Sequence, residues 1–190
     1  MHLFFDTETT GLPKNYKAPV SDLANWPRLI QLAWLITDDD GLELKSAEYI
    51  IKPVGFSIPV EASRIHGITD ERARREGVEL QPVLEEAAAD ITAAVTLIAH
   101  NIQFDEKILG AEFLRGGGRN HIEGKLKKCT MQSSTKYCGL PGPYGPKWPK
   151  LQELHGKLFE VGFDGAHNAM ADVRACAKCF FELRRRGVMA

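Results

Sequence analysis

The sequence has no long apolar run, few cysteines and almost no net charge, and each shortage excludes a class of protein. No apolar stretch approaches about 18 residues, so we expect no membrane-spanning helix. The first residues lack a basic leader and reach a carboxylate at Asp6, which argues against a secretory signal peptide. Four cysteines without an export signal are expected to be free thiols in the cytoplasm. A net charge of -1 makes no general case for binding a polyanion.

The composition is that of a globular protein. A chain of 190 residues that is 44% hydrophobic and 26% charged can bury a core without disulfide or metal staples. No repeat or change in composition marks a boundary, so we expect one domain over residues 1–190. Cys176 and Cys179 have the spacing of a metal or redox pair. They lie in a helical pattern without a second pair, which favours ordinary buried thiols.

The order of apolar runs predicts an α/β fold. The first strand is predicted over residues 2–7, and a turn at 38–41 indicates that the two strands flanking it pair antiparallel. Those two strands and two later ones are predicted at 29–37, 42–51, 95–99 and 126–131. Helices are predicted near 60–65, 69–76, 82–94, 104–114, 149–159 and 168–186. In the second half of the chain helices alternate with strands, which favours a mixed sheet flanked by helices.

Asp6 and Glu8 are two residues apart where the first strand ends. In extended backbone this spacing points both carboxylates to one face. The apolar residues before Asp6 predict that the strand is buried, and a buried carboxylate requires a cation nearby. The alternative is a pair of solvated carboxylates at a strand end.

Two further carboxylates occupy comparable positions. Asp105 begins the helix after the strand at 95–99, and ligands in α/β proteins gather beyond the carboxyl ends of strands. Its alternative role is to cap that helix or to interact with the helix dipole. Asp172 lies three residues after Ala169 and four before Cys176, so it shares the apolar side of the last helix. Its alternative is a salt bridge to Lys or Arg.

His167 precedes Asp172 by five residues. The two side chains reach one site only if His167 lies in the loop before the helix, which Gly165 favours. His100 has the same spacing from Asp105, but it is favoured as a packed residue at the end of its strand. Carboxylates that converge beside a neutral histidine suit two Mg²⁺ ions, or Mn²⁺, with the imidazole taking a proton from water.

A basic segment runs from the predicted strand at 126–131 to the start of the predicted helix at 149–159. Between Gly124 and Gln152 there is no Asp or Glu, while six lysines occur among three aromatic side chains. These residues are Lys125, Lys127, Lys128, Lys136, Lys147 and Lys150, with Tyr137, Tyr144 and Trp148. Lysines beside stacking aromatics suit a single-stranded nucleic-acid groove, and a solvated basic loop is the equally weighted alternative.

Three segments in this order resemble the sequence motifs of the DEDD superfamily of 3′→5′ exonucleases, in its histidine-containing (DEDDh) branch. They are Phe5-Asp6-Thr7-Glu8-Thr9-Thr10-Gly11-Leu12, Ala99-His100-Asn101-Ile102-Gln103-Phe104-Asp105 and His167-Asn168-Ala169-Met170-Ala171-Asp172. Residues 64–69 are also typical of that branch. The resemblance spans about residues 6–186 and implies a ribonuclease H-like fold, in which helices flank five mixed strands.

The resemblance also implies residue roles. Asp6 would bridge two metal ions, Glu8 and Asp172 would complete the shell of the first, Asp105 would hold the second, and His167 would be the general base. Thr9 and the backbone near Gly11 would meet the terminal nucleotide, Leu12 would wedge against the last bases, and His66, Asn101 and Phe104 would line the pocket for the 3′ end. Packing in a core or loop is the alternative for Leu12, His66 and Phe104.

The expected activity is metal-dependent release of nucleoside 5′-monophosphates from the 3′ end of single-stranded nucleic acid, with DNA favoured. An exoribonuclease or oligoribonuclease is the alternative, because nothing in the sequence reads the 2′-hydroxyl. A non-catalytic binding module is disfavoured, since all five acidic and histidine positions are retained. The short segment after the last helix favours a stand-alone enzyme or a loose association with a DNA polymerase, and the oligomeric state is left open.

Overall fold

Five strands form one mixed sheet with helices on both faces in a computed structural model that describes residues 1–189. The strands are β1 (His2–Thr9), β2 (Leu29–Thr37), β3 (Glu43–Ile50), β4 (Thr96–Ala99) and β5 (Leu126–Cys129). The helices are α1 (Val60–His66), α2 (Asp70–Glu76), α3 (Leu80–Ala93), α4 (Ile102–Arg115), α5 (Thr130–Cys138), α6 (Leu151–Phe159) and α7 (Ala169–Arg185).

The sheet has the strand order β3-β2-β1-β4-β5. β1 pairs antiparallel with β2 and parallel with β4, and β5 continues parallel to β4. In the parallel pair Phe4 lies opposite Ile98. Because parallel strands end at the same edge of a sheet, the residues that follow β1 and β4 meet at one edge.

Side chains of β1 alternate between two buried layers. Phe4 packs with Ile98 against α7, where Val173 and Phe180 are fully buried. Leu3 and Phe5 pack on the other face, against the apolar sides of α3 and α4. The same alternation points Asp6 and Glu8 toward the α7 layer and Thr7 toward the α4 layer.

One predicted element is wrong. The sequence predicted a strand over 126–131 and no helix between it and the loop at 139–149, whereas β5 ends at Cys129 and α5 follows at once. The segment is rich in Ser and Thr, whose helix propensity is weak, so its helical form depends on packing. Met131, Ser134 and Cys138 share one buried side at helical spacing, and Ser134 Oγ donates to the Thr130 carbonyl at 2.7 Å. Burial against the rest of the fold therefore determines the helical conformation of this segment.

All four cysteines are buried and free. Burial raises the pKa of Cys179 to about 12, and burial likewise raises the pKa of Cys176 well above its usual range. In the described part of the chain neither thiol belongs to a cluster of metal-ligating side chains. Between residues 1 and 189, no helix is long and apolar enough to span a bilayer.

Candidate active site

Acidic side chains from β1 and α7 meet at the edge where β1 ends. Asp6 and Glu8 leave β1 on the α7 side, and Asp172 lies in the first turn of α7. Ligand atoms of Glu8, His167 and Asp172 all lie within 4.8 Å of one another. The structure therefore brings together residues that are about 160 positions apart in the chain.

Asp105 reaches the same edge from the opposite layer. Its Oδ1 accepts a hydrogen bond from Thr7 N at 3.1 Å and a second from Thr7 Oγ1 at 2.7 Å. The residue that precedes α4 is Asn101, so Asp105 does not take the capping role that the sequence left open. Thr7 was not singled out from the sequence, although its position between Asp6 and Glu8 marks it as the residue facing the other layer.

Burial and mutual repulsion perturb these four carboxylates. Burial, then Asp105, Glu8 and Asp172 in that order, raise the pKa of Asp6 well above its usual range. Burial first, then Asp172 and Asp105, raise the pKa of Glu8 to about 8. Burial raises the pKa of Asp105 to about 7 against the opposing bonds from Thr7. The groups thus share one electrostatic environment.

No Lys or Arg within residues 1–189 forms an ion pair with any of the four carboxylates. The salt bridge that the sequence left open for Asp172 is therefore not formed. Clustered carboxylate oxygens without a basic partner are the donors that Mg²⁺ and Mn²⁺ prefer. The residues present fit a divalent metal centre, because bound cations would offset the repulsion that raises these pKa values.

His167 lies in the loop before α7, as the spacing required. Its backbone is in the left-handed region at φ 67°, which is uncommon for a residue with a side chain. Its N–H donates to Asp172 Oδ2 at 3.0 Å, and the imidazole is exposed. Strained backbone of this kind persists only where surrounding bonds hold it. The loop therefore presents the imidazole at the opening of the carboxylate cluster.

A polar network that the sequence did not reveal holds the start of α7. Asn168 caps the helix by accepting from Ala171 N at 3.0 Å, and its Nδ2 donates to Glu48 Oε1 at 3.1 Å. The same Glu48 oxygen accepts from Gln31 Nε2 at 2.7 Å, and Gln31 Oε1 accepts from Ala169 N at 3.2 Å. The network ties the residues beside His167 to β2 and β3. The helix cap could be predicted from the residue type of Asn168. The contacts of Gln31 and Glu48 could not, because they depend on strand register.

His100 packs as expected. Its Nδ1 lies 2.9 Å from Thr130 Oγ1 and its Nε2 lies 2.9 Å from the Pro149 carbonyl. Burial lowers the pKa of His100 to about 4, so the ring is neutral at pH 7. Both nitrogens are engaged, which leaves none to serve as a base.

The candidate substrate residues after β1 form a turn. Thr9 Oγ1 donates to the Gly11 carbonyl at 2.7 Å, so the hydroxyl shapes the turn itself. Gly11 has φ 149°, a conformation that L side chains rarely adopt. Leu12 follows with 73% of its surface exposed, so packing does not explain it.

The other substrate candidates come from α1 and α4. Asn101 precedes α4 at φ 78°, and Phe104 packs in part against the core below it. His66 is buried, its Nδ1 accepts from Ile68 N at 3.1 Å, and its Nε2 has no hydrogen-bond partner in residues 1–189. Burial lowers the pKa of His66, and the backbone of Thr9 partly opposes this shift. The packing alternative thus holds in part for Phe104, while His66 keeps one buried donor unused.

Comparisons of sequence show the relationships of the chain. The family model described as an exonuclease, RNase_T, matches residues 3–180. An uncharacterized exonuclease, CP81, of Escherichia phage 186 is 28% identical over 181 residues, with 90% of this chain and 82% of the phage protein covered. The DNA polymerase III subunit epsilon of Treponema pallidum is 27% identical over 179 residues, with 93% and 73% covered.

Solved structures of exonuclease I share the fold. One matches with a TM-score of 0.77 at 21% identity and covers 97% of this chain. Escherichia coli exonuclease I in complex with a dA16 oligonucleotide matches with a TM-score of 0.76 at 22% identity and 97% coverage. The chain spans about 40% of the length of these proteins. The ribonuclease H-like fold expected from the sequence is confirmed.

Proposed function

The chain belongs to the RNase_T exonuclease family of the DEDD superfamily, and we propose that it is a 3′→5′ exonuclease of the histidine-containing branch. It releases nucleoside 5′-monophosphates from the 3′ end of single-stranded nucleic acid, preferably DNA. One observation carries the proposal: Asp6, Glu8, Asp105 and Asp172 are joined by mutual repulsion at one sheet edge, without a basic partner.

The carboxylates are proposed to hold two Mg²⁺ ions, with Mn²⁺ as a substitute. Asp6 would contact both, Glu8 and Asp172 would complete one shell, and Asp105 would hold the other. A divalent pair bound there supplies an activated water and charge stabilisation at the cleaved phosphate. Thr7 keeps Asp105 oriented toward the edge, because both of its hydrogen bonds go to one carboxylate oxygen.

His167 is proposed as the general base. Its exposed imidazole accepts the proton of the attacking water, and the Asp172 carboxylate fixes the loop through the His167 N–H. Asn168 caps α7 and thereby holds the loop that carries His167 in place. Proton transfer needs hydrogen-bond reach, so the position of this loop determines whether the base acts.

The turn after β1 and the start of α4 are proposed to bind the terminal nucleotides. Thr9 and the Gly11 backbone meet the last nucleotide, and the exposed Leu12 wedges between bases. Asn101 and Phe104 line the pocket. His66 also lines it, with its unpartnered Nε2 as a donor to the substrate.

The relatives favour DNA as the substrate. One neighbouring structure holds a dA16 oligonucleotide, and one relative is a subunit of DNA polymerase III. We propose a single exonuclease domain over residues 1–190 that acts in the cytoplasm, alone or in loose association with a polymerase. An exoribonuclease remains the second candidate because no described contact distinguishes ribose from deoxyribose.

Digestion of labelled oligonucleotides tests the proposal. With Mg²⁺, the purified protein should release mononucleotides from single-stranded DNA that carries its label at the 3′ end, and a chelator should stop release. Asp6→Ala should be inactive, while Glu123→Gln, which changes an exposed carboxylate elsewhere, should keep full activity. The proposal fails if no mononucleotide appears or if Asp6→Ala stays active. Rates on matched DNA and RNA strands decide between the two substrates.

A further inference from the structure

Residues 139–149 form a loop, here called the aromatic loop, whose two large side chains are held out in solvent. Tyr144 is fully exposed and 59% of Trp148 is exposed, whereas Trp26 and Trp34 are buried. A concavity of about 450 Å³ is lined by these two aromatic residues, by Lys147 and by the glycines and prolines at 142, 143, 145 and 146. Exposed aromatic surface without a partner is characteristic of binding sites.

The end of the aromatic loop is anchored at His100, the residue that follows β4. His100 Nε2 lies 2.9 Å from the Pro149 carbonyl, and Pro149 is buried. Phe4 and Ile98 are paired on neighbouring parallel strands, and two residues further along come Asp6 and His100. The anchor of the loop therefore lies one strand away from Asp6, on the same face of the sheet.

The base of the loop is closed by its own backbone. Lys147 N donates to the Leu140 carbonyl at 3.0 Å, and Lys147 Nζ pairs with Glu153 at 2.6 Å. The prolines between these points fix φ and the glycines allow tight turns, and neither adds a large side chain that could cover the rings. The two aromatic side chains are thus presented from a braced loop.

Charge around the loop favours a polyanion only moderately. Residues 125–152 contain no Asp or Glu, but Lys127 is paired with Glu106 and Lys147 with Glu153. Lys136 and Lys150 are exposed and form no ion pair in the described chain. Aromatic stacking must therefore supply more of the binding than phosphate contacts do.

We propose that the aromatic loop binds unpaired bases of the strand on the 5′ side of the nucleotide being removed, with Trp148 and Tyr144 as stacking platforms. Stacking tolerates every base, so the surface holds a strand as its 3′ end shortens. Single-stranded nucleic acid is the occupant because flat apolar rings beside exposed lysines match bases joined by phosphates. This inference rests on the proposed function, since it places the strand relative to that site.

Tryptophan fluorescence tests the contact directly. Trp148 is the exposed member of three tryptophans, so stacking on a base should quench the solvent-exposed emission. The probe is an oligothymidylate of about twelve nucleotides, titrated in chelator so that no cleavage occurs. Trp148→Phe should retain binding, measured by fluorescence anisotropy of a labelled strand, and should lose the quenching.

Variants test whether the contact contributes to affinity. Trp148→Ala should weaken binding of the oligonucleotide by about tenfold, and Trp148→Phe should restore most of it. Leu42→Ala removes a side chain of similar exposure at the far end of the sheet and should change nothing. Unchanged affinity in Trp148→Ala, or no quenching in the unmodified protein, would overturn the proposal.

A small substrate separates this inference from the proposed function. The nitrophenyl ester of thymidine 5′-monophosphate occupies only the site of the terminal nucleotide. In Trp148→Ala, kcat/KM for the oligonucleotide should fall about tenfold relative to kcat/KM for the ester. If Trp148→Ala changes kcat/KM by the same factor for both substrates, the loop contact alone is refuted. If the unmodified protein cleaves neither substrate, the proposed function is refuted.

Discussion

Replacing Glu8 with Gln should stabilise the protein when no divalent metal is present. Burial raises the pKa of Glu8 from 4.5 to about 8, so its folded state holds a proton that the unfolded state releases. In chelator the contribution of Glu8 to stability should therefore fall as pH rises from about 4.5, and this contribution should level off near pH 8. At pH 7 the proton that Glu8 must take up on folding costs at most about 3 kcal/mol, and Glu8→Gln removes that cost.

Thermal unfolding in chelator measures this gain. A change of that size should raise the Tm of Glu8→Gln by roughly 5 to 10 °C at neutral pH, and the pH dependence should weaken. Added Mg²⁺ should stabilise the unmodified protein and have a smaller effect on Glu8→Gln. Glu123→Gln is the matched control, with an expected change within about 0.5 kcal/mol. If the Tm of the unmodified protein is flat between about pH 5 and 8, the raised pKa of Glu8, and with it the burial and repulsion that cause it, is refuted.

Substitutions at three other residues separate chemistry, positioning and stability. His167→Ala should slow turnover by about 10²–10⁴-fold while Mg²⁺ still raises the Tm, and a loss of both would make the histidine structural. Glu48→Ala should lower kcat more than it changes KM because Asn168 loses its acceptor, and Glu48→Gln should restore kcat by keeping a carbonyl oxygen there. Glu112→Ala should cost about 3–5 kcal/mol in urea unfolding, since Arg28 and Arg115 lose a fully buried partner; a smaller loss refutes that role.

The sequence predicted the strands and most helices because their apolar patterns are local. The position of Asp172 on the buried side of α7 followed from its spacing to Ala169 and Cys176. The loop position of His167 followed from the helical angle between the two residues. Apolar periodicity therefore predicted the position of a side chain wherever a single helix or strand determines its direction.

Features that depend on several elements could not be predicted. Thr7 and Asp105 are 98 residues apart, and nothing local links them. Glu48 and Asn168 meet only because the register of β2 and β3 brings Glu48 beneath the start of α7. α5 was not predicted because its polar sequence has little intrinsic helix propensity. Burial of one side of the segment determines its helical conformation.

The acidic side chains at this sheet edge come from both layers of the sheet, so the chain can be divided into two pieces that each lack part of the proposed site. A cut within the exposed glycines 116–118 would leave Asp6 and Asp105 on one half and Asp172 on the other. Neither half alone would carry a complete acid set. Turnover after mixing would therefore report the rejoining of the halves, so the enzyme could serve as its own complementation sensor.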